Sequence, residues 1–206
     1  MVNWLTHGFG LALSLVGLGA LLALSAPQGL WPMTVCLIYG LSLVTLFGVS
    51  TFYHASPLGP MKKKARLLDH CAIPILIAGS YTPFMALALG GWKGWGVLLA
   101  VWCLALFSIR HKFTSSDPYG AASVVLCLLM GWLIMLVWHP LTATMGPAAL
   151  AWLVAGGLAY TAGVPVYAWR GLPYGHGIWH GFVLAGAGCH YIAVLKVVLL
   201  GQNGAA

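Results

Sequence analysis

Residues 31–54 read WPMTVCLIYGLSLVTLFGVSTFYH, an uncharged run that as a helix is about 36 Å long, enough to cross a hydrocarbon core of about 30 Å. Its last residue, His54, is the one side chain in it that titrates near neutral pH. The rest of the chain has the same character. Of 206 residues, 61% are hydrophobic and 5% charged, and there is no glutamate, so the charged surface that a soluble domain of this size needs is missing. The sequence is that of an integral membrane protein. Apolar runs between breaks predict seven spans, near 9–26, 31–54, 67–89, 92–109, 119–138, 145–168 and 177–200. They form one domain over 1–206, an all-α bundle with no room for a separate soluble unit. The fourth span is set off from the third only by Gly90, Gly91 and Gly94 with a single lysine, Lys93.

Cytoplasmic loops retain Lys and Arg. With seven spans, Lys62, Lys63, Lys64, Arg66, Arg110, Lys112 and Arg170 fall on the face of the N-terminus. Lys93 lies on the other face and Lys196 near the end of the last span. This predicts a cytoplasmic N-terminus, an external C-terminus and a cell-membrane location. The KKKAR cluster at 62–66 reads as a topology anchor touching anionic lipid, since nucleic acid would need a far larger basic surface. The first apolar segment lacks a basic leader and a small-residue cleavage site, and is read as a retained span. Five cysteines without a CxxC pair read as buried small hydrophobes. AGSYTPF in span three and VLAGAGCH in span seven read as helix-packing faces, and Pro74, Pro83 and Pro165 as kinks or early helix ends.

Ionisable side chains inside a bilayer are costly, so their depth carries information. His54 ends span two, Asp69 stands in the predicted first turn of span three, and His176 and His180 begin span seven. Alternating spans bring all four to one depth. Residues four apart share a helix face, so His176 and His180 can chelate one ion, with His54 as a third nitrogen. Three imidazoles plus water make the open tetrahedral arrangement of catalytic zinc. Ser50, one turn from His54, can orient a ligand or the water. Asp69 has two possible roles, a fourth ligand or a base for a water whose pKa zinc brings to about 7. In the alternative reading each group is satisfied separately, with Asp69 paired to Arg66 or His70. His7 and His111 are expected at the interface, His139 at the outer end of span five, His70 facing away from Asp69, and His190 too far along its helix to share the ion. Asp117 is expected to be a loop or helix-cap residue before span five.

The segments STFYH, RLLDHCAI, LIAGSYTPF and HGIWHGFVLAGAGCH, with THGFG near the start, resemble the hemolysin III group of the progestin and adipoQ receptor family, with a more distant relation to alkaline ceramidases. The resemblance spans essentially the whole chain. It implies seven helices, a cytoplasmic N-terminus and zinc held near the cytoplasmic side by His54, His176 and His180, with Asp69 and Ser50 beside it. It also implies an acidic segment before Asn3 that MVNWLTHG does not show.

The function expected on these grounds is zinc-dependent hydrolysis of lipid amide or ester bonds in membrane-lipid homeostasis, on substrates that arrive laterally from the bilayer. Two other classes stay open: a pore-forming, haemolysin-like protein, and a sensor of lipid state in which zinc is structural. No ring of charges marks a pore, and no motif names a protein partner.

Overall fold

The computed structural model describes residues 2–169 and 171–203, and these form helices joined by short turns. Eight α-helices occur: α1 (Val2–Ser25), α2 (Leu30–Ala55), α3 (Pro60–Pro83), α4 (Gly91–Thr114), α5 (Ala121–Trp132), α6 (Trp138–Thr144), α7 (Pro147–Ala168) and α8 (Gly175–Asn203). A 3-10 segment, Leu133–Val137, joins α5 to α6 into one crossing, so seven segments are long and apolar enough to span a bilayer. This is a multi-pass membrane protein. Large apolar side chains such as Val16, Leu99, Leu136 and Leu158 lie exposed on the outside, where lipid replaces water as their solvent.

The thin boundary after span three is a true break. Gly90 and Gly91 both adopt left-handed φ, 62° and 57°, a region that disfavours side chains and ends the helix. Pro83 acts less abruptly than expected. Helix α3 passes Pro74 without interruption, and beyond Pro83 the chain continues as a π-helical turn, Phe84–Leu89, which absorbs the missing backbone donor. Helix α3 also begins seven residues before the expected span start. Pro60 opens it, so the KKKAR cluster is helical and Asp69 lies in the third turn, not the first. Of the two readings of Asp117 the loop holds: it is exposed in the turn before α5, whose N-cap is Gly120. The five cysteines are free, and Cys103 is exposed, contrary to the expectation that all are buried.

Neighbouring helices close into a ring in which α1 packs on α2 and α8, α2 on α3, α3 on α4 and α5, and α7 on α8. Small residues set the close contacts. At Gly156 of α7 the space of a Cβ is filled by the His190 ring of α8; Gly186 of α8 faces the Tyr160 ring, and Gly79 of α3 faces Ser42 of α2. Where α5 turns to 3-10, the Tyr81 hydroxyl, 2.9 Å from the carbonyl oxygens of both Met130 and Gly131, donates to them and accepts the Ile134 amide at 2.8 Å. Backbone groups left unpaired in a bilayer cost several kcal/mol each, so this one hydroxyl makes the irregular turn tolerable.

Candidate metal centre

Up-and-down connection puts the start of α1, the ends of α2, α4 and α7, and the starts of α3, α5 and α8 at one end of the bundle. His54 lies in the last turn of α2. Tyr174, in left-handed φ at 56°, ends the preceding loop, so that α8 starts at Gly175 and carries His176 in its first turn and His180 in its second. The ligand atoms of His54, His176 and His180 all lie within 4.8 Å of one another. The Nε2 atoms of His54 and His176 are 3.2 Å apart. Two nitrogens bound to one tetrahedral ion at about 2.0–2.1 Å stand about 3.3–3.4 Å apart, so the pair already has nearly the spacing of a shared zinc. His180 is buried, His54 half-buried and His176 exposed, which leaves the group open on one side. The donor set and its spacing fit a divalent cation.

The first helix completes the arrangement. The Thr6 hydroxyl donates to the Asn3 carbonyl at 3.0 Å, and its oxygen stands 3.2 Å from His180 Nδ1. With its own proton so placed, Thr6 accepts from Nδ1–H, and Nε2 of His180 is left as the free donor atom. Beside it His7 stacks on the His180 ring, centroids 3.6 Å apart and planes 15° from parallel, with Phe47 edge-on at 5.2 Å. His7 is thus buried at the centre and not at the interface, and neither ring nitrogen has a hydrogen-bond partner among the described residues. Neither Thr6 nor His7 was singled out from the sequence as a site residue; the THGFG segment holds both.

Ser50 and Asp69 face the same interior. They line a cavity of about 470 Å³ that also touches His7, His176 and His180, and Ser50 is the side-chain hydrogen-bonding neighbour of Asp69. Asp69 is not one of the three compact ligand residues. His70 lines the cavity too, with its ring 4.5 Å from that of Tyr119, so the two residues do not face apart as expected. Deeper in, the lining is mostly apolar, with Leu76, Ile77, Phe84 and Val183, down to His190, whose Nε2–H donates to the Leu153 carbonyl at 3.2 Å. From His176 to His190 the cavity follows α8 for about 21 Å. Along the other wall α5 and α7 touch sparsely, bridged by a hydrogen bond from Trp132 Nε1 to Thr161 Oγ1 at 3.2 Å.

Comparison with known proteins gives consistent matches. A family model described as Haemolysin-III related matches residues 1–191. The chain is 36% identical to the Hemolysin-3 homolog of Bacillus subtilis (strain 168) over 196 residues, 95% of this chain and 92% of that protein. It is also 36% identical to Hemolysin-3 of Bacillus cereus over 200 residues, 97% and 91% of the two chains. The human Monocyte to macrophage differentiation factor is 32% identical over 202 residues, 94% of this chain and 82% of that protein.

Proposed function

Because the chain belongs to the Haemolysin-III related family, we propose that it is a cell-membrane protein that holds zinc with His54, His176 and His180 and there hydrolyses an amide or ester bond of a membrane lipid. The observation that carries this reading is the joining of two unlike halves in one cavity. At one end stand His176 and His180, with His54 within 4.8 Å of both, beside the Asp69 carboxylate and the Ser50 hydroxyl, and a long, mostly apolar channel extends from them. A cavity of about 470 Å³ is within the range of small-molecule sites, and its apolar length suits a hydrocarbon tail.

Zinc, when bound, acts as a Lewis acid toward a carbonyl oxygen and lowers the pKa of a water to about 7. The chain's own groups do the rest. Thr6 fixes the His180 tautomer, and the His7 ring holds the His180 plane. Asp69, standing apart from the three ligand residues, takes the base role in preference to that of fourth ligand. Its carboxylate removes a proton from the attacking water as the new C–O bond forms, and returns it to the amine or alcohol as the scissile bond breaks. Ser50 orients that carboxylate. Deeper apolar walls keep bulk water from the tail, and the thinly packed α5–α7 seam offers a lateral route from the bilayer. With Lys62, Lys63, Lys64 and Arg66 at this end and Lys93 at the other, the centre lies toward the cytoplasm. Arg170, also assigned to that side, is outside the described residues.

The test is metal content by mass spectrometry of detergent-purified wild type and His180→Ala, paired with assays over a broad lipid panel for wild type and Asp69→Asn. The expected result is about one zinc per chain, lost in His180→Ala. Turnover should fall about 10²- to 10⁴-fold in Asp69→Asn with the metal retained. Zinc without turnover on any lipid would overturn the hydrolase in favour of a structural or sensory centre.

A further inference from the structure

A short turn, Ser56 to Gly59, joins α2 to α3 on the outer surface of the bundle. Leu58 at its tip is 92% exposed, and Met61, in the first turn of α3, is 59% exposed. Beside these two apolar side chains stand Lys62, Lys63, Lys64 and Arg66. No acidic side chain in the first turn offsets them. Of the chain's two carboxylates, Asp69 lines the cavity and Asp117 lies in the turn before α5. Lys63 and Lys64 are exposed, whereas Lys62 folds back onto α2. Its Nζ donates to the Ser56 carbonyl at 3.0 Å and lies 5.3 Å from the centre of the Tyr53 ring, which is 4.5 Å from that of His54. The ammonium thus stands within about 10 Å of the His54 ring and is its electrostatic neighbour, as Arg66 is of His176.

In water Leu58 and Met61 would be poorly solvated, and the adjacent ammonium groups would repel one another. At the edge of a bilayer both problems are met at once. The apolar side chains enter the acyl boundary, and the lysine stems carry their charges to the level of the phosphates. An acidic peptide would answer the charge and leave Leu58 without a solvent, so a lipid is the better match. The same cations bear on the metal centre, because positive charge near His54 and His176 opposes a dication there and a phosphate that neutralises part of it relieves the opposition. We propose that the α2–α3 corner binds the phosphate of an anionic phospholipid through Lys62, Lys63 and Lys64, and that the bound lipid tightens the hold of His54 and His176 on their cation. This rests on the metal reading in the proposed function and names a regulator of it, the charge of the surrounding leaflet.

The full chain is placed in phosphatidylcholine nanodiscs with and without phosphatidylglycerol. Lipid that stays bound on release is identified by native mass spectrometry, and zinc affinity is read by chelator titration. Wild type should retain phosphatidylglycerol in preference to phosphatidylcholine. Lys63→Gln/Lys64→Gln should lower that preference about tenfold or more. Lys93→Gln/Arg110→Gln, which removes two exposed cations elsewhere, should keep it. Zinc should be held about three- to tenfold more tightly with phosphatidylglycerol than without it. The corner variant should lose this difference, and in phosphatidylcholine alone it should already hold zinc more tightly than wild type, since two opposing charges are gone. Absence of a lipid preference in wild type would overturn the site, and so would a preference that the charge-matched control loses equally. Inorganic phosphate or an acidic peptide that displaces phosphatidylglycerol as readily as added phosphatidylglycerol does would overturn the choice of a lipid. Equal zinc affinity in the two lipids would overturn the coupling. Absence of zinc in both would sink the metal reading, and a retained lipid would then leave the corner site standing.

Discussion

At the residue scale the centre depends on a hydroxyl. Thr6 holds one nitrogen of His180 so that the other points at the position a cation would take. Removing such a hydrogen bond to a ligand's far side typically weakens metal affinity about 10- to 100-fold. Thr6→Val, which keeps the shape and loses the acceptor, should therefore release zinc to a competing chelator at correspondingly lower chelator concentration, while His70→Ala should leave zinc affinity unchanged. Chelator titration of purified protein reads both. The meeting of His54, His176 and His180 was legible in the sequence because alternation of spans alone puts helix ends on one side, and the four-residue spacing in α8 sets two imidazoles on one face; Asp69 was placed on that side but two turns too near the helix start. Thr6 and His7 were not, since they act across 174 and 173 positions of chain. Nothing in a single sequence says that α1 packs beside α8.

At the element scale, contact between α7 and α8 is the most extensive in the bundle, and adjacent glycines of α7 play opposite parts in it. Gly156 is where the His190 ring sits, whereas a Cβ on Gly157 would meet nothing within 4 Å. Overpacking a fitted contact costs about 1–3 kcal/mol, and alanine is the better helix former by about 1 kcal/mol where space is open. Gly156→Ala should lower the melting temperature in detergent and Gly157→Ala should hold or raise it. Thermal scanning of the two against wild type decides. Span centres were legible from hydropathy because the apolar runs are long and their breaks carry glycine or proline. Helix ends were not. The three lysines at 62–64 lower the mean hydropathy of a segment that is helical all the same, so hydropathy located the edge of the apolar zone and missed the start of α3 at Pro60.

At the scale of the whole molecule, seven crossings put the start of α1 and the end of α8 on opposite sides, and the proposed orientation follows from the excess of basic residues on the side of α1. Lys112 contributes less to that orientation than its position in the chain implies, because it is buried against the cavity and not in a loop. The remaining cations at 62–66 and Arg110 still outnumber Lys93. Reporter fusions should therefore give an active periplasmic-type enzyme at the C-terminus and a fluorescent cytoplasmic protein at the N-terminus; the opposite pattern would invert the placement of the metal centre.

The three histidines also have an order of arrival. His54 leaves the ribosome 122 residues before its neighbour His176, and His180 follows last of the three. A nascent chain halted before Gly175 contains one of the three imidazoles and none of the helix that carries the others. On the proposed zinc reading, all three ligands are in place only once synthesis has reached the final crossing. A chain that stops short of α8 lacks both His176 and His180 and the contact of the first helix with the last, so on that reading the metal centre and the closure of the ring are completed by the same final segment.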